Sequence, residues 1–229
     1  MAYIIRNFYT SRIQRILGTK MYSEKRIKLH NIDLISVLVA SLLGDGLAEK
    51  RNNATRFHIH VSSRNAEYIF SMYSFFKEKK YCSAEKPKVK KQIGKNNSVV
   101  FSIKFRTFSF SNLNYIYDCF YVKQKTNESF FFKKVVPKNI SSLLTEKALA
   151  IWFMDKAGKS QTGVKISTES FCYADHILLQ QTILQNFNLH CTVEKHKHKF
   201  ILYFKKSEKE KLSEIIKPYM IASMYYKLQ

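Results

Sequence analysis

Two short apolar stretches at matching places constrain the fold more than any other feature of this chain. Leu38–Gly46 reads Leu-Val-Ala-Ser-Leu-Leu-Gly-Asp-Gly, an apolar run ending in one carboxylate between two glycines. Leu149–Ala157 reads Leu-Ala-Ile-Trp-Phe-Met-Asp-Lys-Ala. Laid on each other, Leu38 falls on Leu149, Gly44 on Asp155 and Asp45 on Lys156, a constant offset of 111 residues, about half the chain. A run of this kind reads as a buried helix whose polar end reaches the surface. Two of them half a chain apart read as equivalent helices of two similar halves.

The flanking segments repeat one order. In the first half a helix runs from about Ile32 to Gly44, with Asn31 or Asp33 as cap. Arg56–Val61 alternates as a strand and places His58 and His60 on one face. That pair suggests a metal site or a solvated sheet face, and the absence of an acid or cysteine in register favours the second. Ala66–Lys79 is helical, with Ile69, Phe70, Tyr73 and Phe76 on one stripe. Lys86–Ile93 and Ser98–Arg106 flank the turn Gly94–Asn97, and Phe108–Val122 follows as an aromatic helix. In the second half come a helix over Thr145–Asp155, a strand over Val164–Thr168 and a helix over Ala174–Phe187. A hairpin of Leu189–Glu194 and Phe200–Phe204 follows, then a helix from Ser207 to Lys217 that ends at Pro218. The expected architecture is an α+β duplication in a monomer with a pseudo-twofold axis. It divides into a basic arm (1–30), a first half (31–122), a polar linker (123–144) and a second half (145–229).

Charge points to the partner. Lys and Arg outnumber Asp and Glu 39 to 17, a net +22 at pH 7, which suits a polyanion, first of all nucleic acid. Arg6, Arg12 and Arg15 lie in the arm, where Glu24 is the one acid. Such a start also resembles a retained targeting segment. Lys86, Lys88, Lys90, Lys104 and Arg106 on the first hairpin, and Lys195, Lys197 and Lys199 on the second, are candidate phosphate contacts. The alternative is edge strands guarded by lysine against aggregation. Cys82, Cys119, Cys172 and Cys191 form no CxxC pair, which argues against a zinc ribbon and fits a reducing compartment. No apolar run approaches the roughly 18 residues of a membrane span, so no membrane partner is expected. Abundant Lys, Phe, Tyr, Ile and Asn suggests an AT-rich genome, as in an organelle such as the mitochondrion. There is no phosphate-cradling glycine loop, HExxH or GxSxG.

With these residues in view, the chain resembles a single-chain LAGLIDADG homing endonuclease over roughly residues 31–229. Ser41–Gly46 is similar to the family's first motif and Leu149–Asp155 to its second. Lys134-Val-Val-Pro137, Phe101–Tyr115 and the tail Ile216–Tyr219 through Met224–Leu228 match its flanking signatures in order. The resemblance implies two αββαββα halves with the motif helices at the centre and saddle-shaped antiparallel sheets over duplex DNA. It also implies a catalytic acid at the end of each motif helix, with Mg²⁺ between the strands. On matching positions Asp45 is the first metal-binding acid, and Lys134 and Lys227 match lysines near the cleavage centres.

The departure is Lys156, which stands where the second acid belongs. Asp155 precedes it, about 100° away around the helix. A protonated lysine repels a divalent cation and can pair with Asp45 instead, taking the place of the metal. The other reading leaves Lys156 solvated and hands the role to Asp155 by a one-residue shift. Two functions follow. In the first, a degenerate family member needs no cofactor and binds structured RNA, as a group I intron maturase or as a component of an organellar ribosome beside other ribosomal proteins. In the second, a site-specific DNA endonuclease or nickase cuts double-stranded DNA with Mg²⁺ at Asp45.

Overall fold

The computed structural model describes residues 31–62, 65–93, 97, 99–126, 128–160, 162–168 and 170–228. The expected basic arm, with Arg6, Arg12 and Arg15, lies outside the described residues. Helix α1 spans Ile32–Leu43, and the Asn31 side chain caps it by accepting the Asp33 N–H at 3.0 Å. Strands β1 (Leu47–Arg51) and β2 (Ala54–Ser62), helix α2 (Ala66–Glu78) and strands β3 (Val89–Ile93) and β4 (Val99–Arg106) follow. A 3₁₀ turn leads into α3 (Asn114–Phe120), then β5 (Tyr121–Lys125), β6 (Phe130–Lys134) and the short α4 (Ile140–Leu143). The second half holds α5 (Glu146–Lys156), β7 (Ala157–Ser160), β8 (Gly163–Ser167), α6 (Tyr173–Phe187), β9 (Thr192–His196), β10 (Lys199–Lys205) and α7 (Lys209–Ile216). Two 3₁₀ segments, Lys217–Tyr219 and Ala222–Leu228, close the described chain.

Each half therefore reads αββαββα. The first sheet has order β1-β2-β4-β3 and the second β7-β8-β10-β9, both antiparallel. Helices α1 and α5 pack against each other at the centre. Every residue of α1 from Leu34 to Leu43 is buried, as is every residue of α5 from Ala148 to Met154. This explains why neither motif alternates polar and apolar residues: both sides of each helix are covered. A fully buried leucine such as Leu38 contributes about 2 kcal/mol over exposure. Polar contacts set the register between the two helices: Ser36 Oγ lies 2.7 Å from Thr145 Oγ1, and Lys147 pairs with Asp33 at 3.0 Å.

Several boundaries differ from expectation. The aromatic helix ends at Phe120, because Tyr121 and Val122 enter β5. The expected polar linker holds an antiparallel ribbon, with Tyr121 opposite Lys134 and Lys125 opposite Phe130. The Phe130–Phe132 run has the strand preference that the intervening polar residues disguise. Strands β1 and β7 are short, partly exposed edge strands with little apolar patterning of their own. Lys86 and Lys88 precede β3 instead of belonging to it. The final helix starts at Lys209, two residues later than expected, because Lys206–Glu208 form a 3₁₀ turn.

Candidate nucleic-acid interface and cleavage centre

Packing α1 beside α5 brings their C-terminal ends together. Helix C-termini carry partial negative charge from unpaired carbonyls, so cations are favoured there and carboxylates are not. The site follows that rule. Lys134, at the end of β6, donates to the Gly44 and Gly46 carbonyls at 3.1 and 3.2 Å. Lys227, in the last 3₁₀ segment, donates to the Met154 carbonyl and, at 3.5 Å, to that of Asp155. Each motif helix is thus closed by a lysine from the segment that follows its own half. Burial depresses the Lys134 ammonium to about 8, opposed by Asp45. Burial lowers Lys227 as well.

The acids break the symmetry. Lys156 Nζ lies 2.7 Å from Asp45 Oδ1, so the ion pair expected from the substitution is present. Lys156 is 22% exposed and paired with Asp45, so its ammonium is not free in solvent here. Asp155 turns inward. Its Oδ2 accepts the Asp45 backbone N–H at 3.1 Å. A Cβ built on Gly44 would stand 2.0 Å from that same oxygen, so glycine at this position makes room for the acid of the opposite helix. Burial raises the Asp155 carboxyl to about 6; the Asp45 N–H opposes the shift and the Asp45 carboxylate adds to it. Asp155 therefore joins the site, but as a half-buried acceptor at the ends of the paired helices.

Outside the centre, strand register decides which basic residues share a face. His58 sits opposite Arg106, His60 opposite Lys104, and Lys90 opposite Ser102, so Lys90, Lys104 and Arg106 share the open face of the first sheet. That face forms a groove running from Asp45 past His58 to Lys90. In the second sheet Lys199 lies opposite His196. Lys195 lies opposite Phe200, whose ring packs on Tyr173 and His176 of α6. Lys195 is therefore on the helix side of the sheet, Lys197 is in the turn, and Lys199 is the one strand lysine of that trio on the open face. Lys165, opposite Tyr203, also faces that way. Its signal in the sequence was the alternation Gly-Val-Lys-Ile-Ser of β8, with Lys on the face away from Val164 and Ile166.

The histidines also resolve. His58 does have an acid, since its Nε2 lies 3.0 Å from Glu49 Oε2. Arg56 and Arg51 bind the same carboxylate, and the Arg56 contact holds Glu49 below the usual carboxylate range. Glu49 comes from β1, the edge strand the sequence pattern left out. His176 is buried with Thr168 Oγ1, the Cys172 carbonyl and the Phe200 carbonyl around its ring, a satisfied core histidine.

A fold of two αββαββα halves with acids at the meeting ends of the central helices is matched by one family model. Residues 35–212 match the LAGLIDADG DNA endonuclease family. The chain belongs to this family. Among its LAGLIDADG relatives is the cytochrome b mRNA maturase bI2 of Saccharomyces cerevisiae, 32% identical over 233 residues. The match takes in 100% of this chain and 54% of that protein, so the chain spans about half the length of this relative. The intron-encoded endonuclease ai4 of Dictyostelium discoideum is 35% identical over 162 residues, covering 69% of this chain and 98% of that one. Among solved structures, the homing endonuclease I-WcaI bound to its DNA recognition sequence has the same fold. It has a TM-score of 0.77 and 24% identity, with 92% of each chain covered.

The Mg²⁺ that the LAGLIDADG resemblance implies does not fit this donor set. Hard divalent cations need several oxygen ligands, carboxylates foremost. Here one carboxylate is engaged by an ammonium and the other is half-buried and taken up as a backbone acceptor. Among the described residues no group of three or more His, Cys, Asp or Glu side chains is placed to hold a metal ion.

Proposed function

We propose that this chain is a LAGLIDADG protein that has exchanged strand cleavage for binding, and that its partner is structured RNA, as in a group I intron maturase of an organelle. The observation that carries the reading is the 2.7 Å pair between Lys156 and Asp45. It occupies the place where cleavage would need two free acids. The net charge of +22 is retained, as is a sheet face bearing Lys90, Lys104 and Arg106. Phosphate contacts of this kind suit RNA as well as DNA. The match to a cytochrome b mRNA maturase supports the RNA reading and an organellar setting. The intron-encoded endonuclease relative, together with Asp45, Lys134 and Lys227, supports a second reading, a site-specific DNA endonuclease or nickase.

The test is to recover the protein from its source on a sucrose gradient and sequence the bound nucleic acid. A light fraction enriched in one intron RNA is the expected result. Stoichiometric sedimentation with a ribosomal subunit through high salt would make it a ribosomal component. Recovery without RNA would move the endonuclease reading to the front.

A further inference from the structure

The ribbon β5–β6 is used by neither the cleavage centre nor the open sheet faces, apart from its base. That base is fixed: Lys134 reaches the Gly44 and Gly46 carbonyls, and the Tyr121 hydroxyl accepts the Ala48 N–H at 3.0 Å. Beyond it, three consecutive phenylalanines remain open to solvent, Phe130 at 59%, Phe131 at 45% and Phe132 at 54%. Register sorts them. Lys123 lies opposite Phe132 and Lys125 opposite Phe130, so one face of the ribbon carries two aromatic rings and two ammoniums. Lys123 Nζ sits 4.1 Å from the Phe130 ring centroid, and Phe132 packs edge-on against Tyr117, which stacks on Tyr121. Phe131 belongs to the opposite face, with Gln124.

We infer that the Phe130–Phe132 face is a stacking platform for unpaired bases of the bound RNA. Exposed aromatic surface of this size on a charged ribbon indicates a partner, and the ribbon's charge selects its class. Residues 121–134 carry Lys123, Lys125, Lys133 and Lys134 against Glu128 alone. A surface that alternates rings with ammoniums complements a strand that alternates bases with phosphates. The two rings, two residues apart on one strand, stand about 7 Å apart, so each can take its own base. Unpaired bases are also what lets RNA be bound outside its helical grooves. The inference rests on the RNA-binding reading and adds a second surface, which holds a single-stranded segment beside the basic sheet face.

The test uses the full chain with two probes, a short mixed-sequence single-stranded RNA carrying 2-aminopurine and a transcribed group I intron. The expected result is a change in 2-aminopurine fluorescence with the wild type and at least a roughly tenfold loss of affinity for the single strand in Phe130→Ala/Phe132→Ala. Phe131→Ala, on the other face, should bind as the wild type does, and all variants should melt like the wild type because the rings are exposed. Unchanged single-strand affinity in the double variant would overturn the inference, including the case where the ribbon instead captures a protein. Intron binding without single-strand binding would overturn the platform alone. Ribbon-dependent single-strand binding without intron binding would overturn the maturase reading alone, and loss of both would overturn both.

Discussion

Gly44→Ala is expected to destabilise the fold by about 3 kcal/mol. The added methyl would stand 2.0 Å from Asp155 Oδ2, far inside contact distance, with the Ala40 carbonyl at 3.5 Å on another side. Both helices are buried there, so neither can move away without opening the core. Overpacking a core site costs about 1–3 kcal/mol. Displacing the half-buried Asp155 carboxylate from the Asp45 N–H adds about 0.5–1.5 kcal/mol for the lost hydrogen bond. The check is a denaturant melt, run as a double-mutant cycle. In Gly44→Ala/Asp155→Gly the oxygen that clashes is gone, so the pair should show a coupling of about 2 kcal/mol. Additive losses would mean that the two residues do not share this space.

The second large effect is a pH dependence of stability at Asp155. Burial raises its carboxyl from an ordinary 3.8 to about 6. Between those values the folded chain binds more protons than the unfolded chain, so stability is full below 3.8 and is lost as pH rises through about 6. Each pKa unit corresponds to about 1.4 kcal/mol. Asp155→Asn keeps an oxygen for the Asp45 N–H and removes the charge. The variant should therefore be more stable than the wild type by about 3 kcal/mol at pH 7.5 and should match it near pH 3.5. Lys134 works in the opposite window, its depressed pKa making stability rise from about pH 8 toward 10.5. The two titrations stay separate in a urea melt series. A variant weaker than the wild type at pH 7.5 would mean that the attraction of Lys156 and Lys227 outweighs the burial of the acid.

Most of the fold was legible because the central helices announce themselves. Each has an apolar run too long for a strand and a capping residue, Asn31 or Thr145, that the structure uses as such. Duplication did the rest, since one half supplies the template for the other. Edge strands were harder to read. Leu47–Arg51 contains Ala, Glu and Lys, residues that strands use little, and is held by its ladder to β2 and by the Glu49–Arg56 contact. With β1 went Glu49, the acid that partners His58. The Lys156–Asp45 pair could be read from the alignment of the motifs, because substituting a cation for an acid at a point of close approach has few outcomes. The inward turn of Asp155 could not. It depends on the gap that Gly44 leaves on the other helix, a relation between residues more than a hundred positions apart that no local pattern encodes. The separation of Lys195 from Lys199 is a matter of period: four residues across a tight turn reverse the strand, and only the register shows which lysine stays on the open face.

If the Lys156–Asp45 pair closes the cleavage centre, the chain leaves duplex DNA uncut. The most direct test incubates the full chain with a library of randomised duplex DNA in Mg²⁺, reads new strand ends by sequencing, and runs Asp45→Asn beside it. No Mg²⁺-dependent ends above the level of Asp45→Asn are expected. Site-specific nicks that require Mg²⁺ and disappear in Asp45→Asn would contradict that closure.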